Sequence, residues 1–105
     1  MPESSAGKRF GVIDDGQQRA MSGLEFVQGL VAGTLPLNTM AQTFGYHIVE
    51  VSKGRVIVAA EPHEGHLNPA GTVHGGFAAT LLDTCMGLAI QSMLDKSFAY
   101  LGDNR

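Results

Sequence analysis

From Phe77 to Leu94 runs an 18-residue apolar stretch with one charged group, Asp83, and no proline. Its apolar residues fall on nearly every face of a helix, so a helix here is expected to be the buried axis of a domain, wrapped by other elements. The length approaches that of a bilayer-spanning segment. Against that reading stand Asp83 near the middle, the polar Thr80, Thr84, Gln91 and Ser92, and the absence of basic flanks, all costly or unusual in lipid. No membrane partner is expected.

The remaining chain limits what can surround this axis. With 105 residues, 44% hydrophobic and only 16% charged, the composition is that of one small globular domain. A net charge of −3, with no basic cluster beyond Lys8-Arg9, offers no electrostatic footprint for nucleic acid or an anionic surface. Cys85 is the single cysteine and cannot form an intrachain disulfide, so a packing role in a reducing compartment is expected. No apolar signal-peptide core is present near the N-terminus, and a cytoplasmic location is the default expectation.

Along the chain, residues 1–20 show no periodicity and read as a disordered tail, leaving 21–105 as the domain. Ser22-Gly-Leu-Glu25 matches a capping box, Leu24, Phe26, Val27, Leu30 and Val31 form an apolar stripe, and Gly33 with Pro36 signals the end of a short helix. After a loop at Leu35 to Thr43, two β-rich segments, Phe44 to Val51 and Arg55 to Glu61, are joined by Ser52-Lys53-Gly54 and predict a hairpin. Pro62, Gly65, Pro69 and Gly71 mark residues 62–73 as a loop, and the long helix is expected from Gly75 or Gly76 to Leu94. Two strands cannot cover a helix that is apolar all round. Only eleven residues follow Leu94; Phe98 to Leu101 is expected to begin a third strand that Gly102-Asp103-Asn104-Arg105 ends, so the sheet is expected to lack most of its C-terminal strands.

The chemistry is concentrated where loop meets helix, in Asn68-Pro-Ala-Gly71-Thr-Val-His74-Gly75-Gly76 followed by Ala-Thr-Leu-Leu-Asp83. Paired glycines allow close backbone approach, and a helix start offers N–H groups without intrahelical acceptors. This combination resembles the hotdog-fold thioesterases of the 4-hydroxybenzoyl-CoA thioesterase superfamily, in particular the PaaI-like branch associated with phenylacetate catabolism. The resemblance implies an α+β hotdog fold, a long central helix wrapped by an antiparallel sheet, and hydrolysis of acyl-CoA thioesters by a homodimer or homotetramer. It needs no cofactor, since the CoA thioester is the substrate.

The resemblance also implies roles. Asp83 matches the catalytic carboxylate, as general base on water or as nucleophile; Gly75 matches the backbone N–H that polarises the thioester carbonyl; Asn68 and His74 match positions that orient water or thioester. Each has a blander reading: a structural carboxylate for Asp83, close packing for Gly75, a turn former for Asn68 and a turn hydrogen bond for His74. Gly75 and Asp83 lie eight positions apart, about 12 Å along a helix. They cannot easily grip one carbonyl, so if both act, Asp83 of one subunit is expected to work with Gly75 of another across a two-fold axis. His63-Glu64-Gly65-His66 lacks the helical His-Glu-x-x-His spacing and sits in a loop, which argues against a metal site.

Related sequences continue after the helix into three more strands, often from a Tyr-Thr-Thr-Leu-Glu-like segment, whereas here Tyr100 is followed by Leu-Gly-Asp-Asn-Arg. Permitted codons for these residues, read one base later, encode Leu-Glu-Ile-Thr, and a frameshift or gene-model error near codon 100 is the expected cause. Three functions fit the sequence: an acyl-CoA thioesterase acting on aryl-acetyl or medium-chain thioesters, a noncatalytic acyl-CoA-binding or oligomerising module, and an inactive fragment of a thioesterase gene.

Overall fold

The computed structural model describes residues 9–95. Within them the order is α1 (Asp15–Arg19), α2 (Gly23–Ala32), α3 (Thr39–Phe44), β1 (Tyr46–Ser52), β2 (Arg55–Ala60), a 3-10 turn (Glu64–His66) and α4 (Gly75–Gln91). The class is α+β: one long helix lies against a two-stranded antiparallel sheet, compatible with a hotdog fold that lacks most of its C-terminal strands. The expected strand start at Phe98 to Leu101 lies outside the described residues.

Helix α2 forms where its caps place it. The Ser22 side chain accepts from the Glu25 N–H and the Glu25 carboxylate accepts from the Ser22 N–H, while Gly33 closes the far end in the left-handed region at φ 83°. The expected loop between α2 and β1 contains α3, which ends at Gly45, φ 71°. Its start carries no side-chain cap, because Asn38 instead accepts a hydrogen bond from the Tyr46 hydroxyl at 3.1 Å.

The stretch expected as a disordered tail holds structure from residue 9 onward. Phe10 bridges Leu37 in parallel, and the Arg9 guanidinium donates to the Gly33 and Thr34 carbonyls. Helix α1 follows, capped by the Asp14 side chain. Carbonyls left open at the C-terminus of α2 thus find a cationic donor.

The hairpin turns at Lys53-Gly54, where Gly54 has φ 79°. A bulge falls between Ile48 and Glu50. Strict alternation from Tyr46 and Ile48 would turn Glu50 onto the core face; the extra residue, Val49, shifts the phase so that Val51 takes that place. The pairs Tyr46–Ala60, Ile48–Val58 and Val51–Val56 then share one face with the core cluster of Val27, Leu37, Ala41, Tyr46 and Ile48.

Helix α2 packs on β1, and α4 packs along β2 and touches α2. Two anchors fix α4's C-terminal end. The Gly23 N–H donates to the Leu94 carbonyl at 2.9 Å, and the buried Ser92 hydroxyl accepts from the Gly54 N–H at 2.8 Å.

One sequence expectation is corrected. Among the described residues α4 is not wrapped: Leu82, Met86 and Ile90 are exposed at 61%, 60% and 47% and lie on one stripe, which Met93, 54% exposed, continues just beyond the helix. Two strands and α2 cover only the opposite flank. No described helix is long and apolar enough to cross a membrane.

Candidate active site

The approach to α4 is organised by a closed loop. The Leu67–Val73 bridge forms its neck, and the Asn68 N–H donates to the Thr72 carbonyl at 2.8 Å. Inside it, Asn68 Oδ1 accepts from the Ala70 and Thr72 N–H groups at 3.0 and 3.2 Å, and Nδ2 donates to Thr72 Oγ1 at 2.9 Å. Gly71 supplies the positive φ, 84°, that the turn requires. The Asn68 amide is therefore committed to shaping its own loop, as an Asx turn does.

His74 is the N-cap of α4. Its Nδ1 accepts from the Gly76 N–H at 2.8 Å, and its carbonyl accepts from Phe77 at 2.9 Å. A neutral His74 bonded in this way carries its proton on Nε2, so the exposed ring presents a donor outward. Two of the helix's open N–H groups are consumed. Among the described residues no acceptor meets the Gly75 N–H, and Gly75 is exposed with nothing near the space a side chain would fill. This donor stands free at the positive end of a 17-residue helix.

Asp83 lies two turns further on. It is exposed, not buried as the all-apolar reading of the helix expects, and no hydrogen bond engages its carboxylate among the described residues. With Ala79, Met86 and Ile90 at helical spacing, it belongs to the open face of α4. Packing among the described residues gives no account of a carboxylate placed beside exposed apolar groups. One chain thus brings Asn68, His74 and Gly75 to the same end of α4 and leaves Asp83 about 12 Å away along the axis.

His63 and His66 serve the loop's geometry. His63 Nδ1 accepts from Gly65, and His66 Nδ1 accepts from His63, closing the 3-10 turn from both sides. The ring of His66 is stacked on Phe44 and tilted against Phe77. The spacing of the two histidines gives no hint of this role, because Phe44 comes from α3, more than twenty residues earlier. Among the described residues no group of three or more His, Cys, Asp or Glu side chains is arranged to hold a metal ion.

Fold and loop together define an α+β domain whose long helix begins at a glycine-rich, histidine-capped turn with an open N–H. Residues 27–103 match the family model described as "Domain of unknown function (DUF4442)", and the chain belongs to that family. Over 58 residues it is 41% identical to a Halobacterium salinarum protein that carries the name "Putative esterase"; the match covers 52% of this chain and 38% of that protein. The chain thus aligns with well under half of that relative's length. No solved structure matches it.

Proposed function

We propose that the chain is the partial hotdog domain, over residues 21–105, of a cytoplasmic acyl-CoA thioesterase of PaaI-like type. The observation that carries the reading is the Gly75 N–H, exposed at the start of α4 and without an acceptor among the described residues, on the same helix as an exposed Asp83 that no described residue bonds. The esterase name of the Halobacterium salinarum protein supports an acyl-transfer chemistry. Aryl-acetyl thioesters, as in phenylacetate catabolism, and medium-chain thioesters are the proposed substrates, with no cofactor.

In this reading the thioester carbonyl oxygen sits on the Gly75 N–H. Asp83 takes a proton from water, the hydroxide adds to the carbonyl carbon, and the N–H holds the oxyanion of the tetrahedral intermediate. Collapse breaks the carbon–sulfur bond, and the proton on Asp83 passes to the departing CoA thiolate, giving acid and free thiol. If Asp83 instead attacks directly, an acyl-aspartyl anhydride forms and water then opens it. His74, through Nε2–H, is placed to donate to the thioester or the water. The 12 Å offset along α4 favours a site built from Asp83 and Gly75 of two subunits, and the exposed stripe Leu82, Met86 and Ile90 is the proposed contact in a homodimer or homotetramer.

The test is thiol release from phenylacetyl-CoA and octanoyl-CoA by the purified chain, with Asp83→Asn as control. Release that depends on Asp83 supports the enzyme. A folded oligomer that binds acyl-CoA without releasing thiol favours the second reading, a binding or oligomerising module, for which the exposed α4 face is the specific observation. Aggregation with no acyl-CoA binding points to an inactive fragment.

A further inference from the structure

Of the histidines near the helix start, His66 is the buried one, 8% exposed, and it touches more of the surrounding structure than His74 does. Its ring is stacked on Phe44 of α3 at 5.7 Å and 9°, lies 4.5 Å from Phe77 in the first turn of α4, and is 3.9 Å from the His63 ring. Its backbone carbonyl accepts the His74 N–H at 2.8 Å. One residue therefore fixes both the strand of chain entering α4 and the first side chain that α4 buries. Between those two points lie His74 and Gly75.

The hydrogen bonds select one chemical form of the ring. Nδ1 accepts from the His63 N–H at 3.1 Å, so in the neutral ring the proton sits on Nε2, which faces the Thr43 carbonyl at 3.4 Å. A carbonyl only accepts and an amide N–H only donates, so no other neutral tautomer satisfies both. Protonating the ring places a donor at Nδ1 against the His63 N–H donor.

We propose that the neutral imidazole of His66 is the positioning element of the site, setting through Phe77 and the His74 backbone where the Gly75 N–H stands. This rests on the thioesterase reading for its effect on rate, but not for its effect on geometry. His66 touches no substrate; it acts through its neighbours. A displacement of about 1 Å at a reacting group costs up to about 10²-fold in rate. His66→Phe, which keeps the ring packing and removes both hydrogen bonds, should therefore lower kcat about tenfold or more while KM stays within about twofold. His66→Asn, which restores an acceptor for the His63 N–H, should recover part of that loss.

Two measurements on the full chain decide it. In ¹⁵N-detected NMR of the imidazoles, His66 should appear with its proton on Nε2, and in His66→Phe the amides of His74 and Gly75 should shift while that of Ala70 stays in place. Amides of His74 and Gly75 that stay fixed in His66→Phe overturn the proposal, as does a folded His66→Phe chain with wild-type kcat. A wild-type chain that releases no thiol sinks the thioesterase reading instead, and the amide shifts in His66→Phe then decide the positioning role alone.

Discussion

Gly23 and Gly75 each occupy the first position of a helix, and their surroundings give them opposite duties. A Cβ on Gly23 would overlap the Gln91 carbonyl, whereas a Cβ on Gly75 would meet nothing within 4 Å. Gly23→Ala should destabilise the chain by about 1–3 kcal/mol, as overpacking does, read as a lower urea midpoint at unchanged slope. Gly75→Ala should leave that midpoint in place. What Gly75 contributes within its own chain is then its N–H, and this can be removed cleanly. Proline is accepted at the first helical position, and His74 before it already has φ −62° and ψ 137°, the extended conformation a following proline demands. Gly75→Pro should therefore fold normally and lose about 10²-fold or more in kcat for phenylacetyl-CoA, while Gly75→Ala stays active. Equal kcat in the two variants would remove Gly75 from the chemistry. The sequence suggests Asn68 as either a site residue or a turn former; its three side-chain hydrogen bonds all stay within residues 68–72, a pattern that residue spacing alone could not reveal.

At the scale of elements, legibility follows how local the cause is. Helix α2 is readable because Ser22, Glu25 and Gly33 act on their own helix, and the hairpin because Gly54 supplies the turn. Helix α3 is not readable from its start, since Asn38 is used by Tyr46; its only local signal is Gly45 at the C-terminus. The bulge at Val49 announces itself only as Glu50 falling where an apolar residue is due. The anchor between hairpin and long helix is wholly nonlocal: Ser92 accepts from Gly54, 38 residues away, at the most buried polar site of the core, 1% exposed. Ser92→Ala leaves the Gly54 N–H, on an exposed turn, without its acceptor and should cost about 0.5–1.5 kcal/mol. The loss should appear in the denaturation midpoint, with faster amide exchange at Gly54 and no such change at Asn68. Uniformly faster exchange along the chain would show that the contact is not a local clamp.

At the scale of the whole molecule, α4 carries a carboxylate with no hydrogen bond among the described residues, on an apolar stripe that the other described elements leave exposed. Leu82, Met86 and Ile90 flank Asp83 on the outward face, while Gly75 lies about 12 Å along the same helix. A two-fold axis across that face would bury the apolar groups and run a second α4 antiparallel to the first, bringing each Asp83 toward the partner's helix start. This arrangement makes a prediction that no single-chain site shares. Asp83→Asn and Gly75→Pro should each be nearly inactive alone, yet a mixed dimer holds one intact site, made of Asp83 from the Gly75→Pro subunit and Gly75 from the Asp83→Asn subunit. Random exchange gives half mixed dimers, each with one of two sites working, so an equal mixture should recover about one quarter of wild-type activity. If each site is contained in one subunit, both sites of the mixed dimer are damaged and mixing restores nothing. Met86→Lys, which puts a charge at the centre of the stripe, should abolish the recovery together with self-association, because there the shared face and the shared site are the same contact.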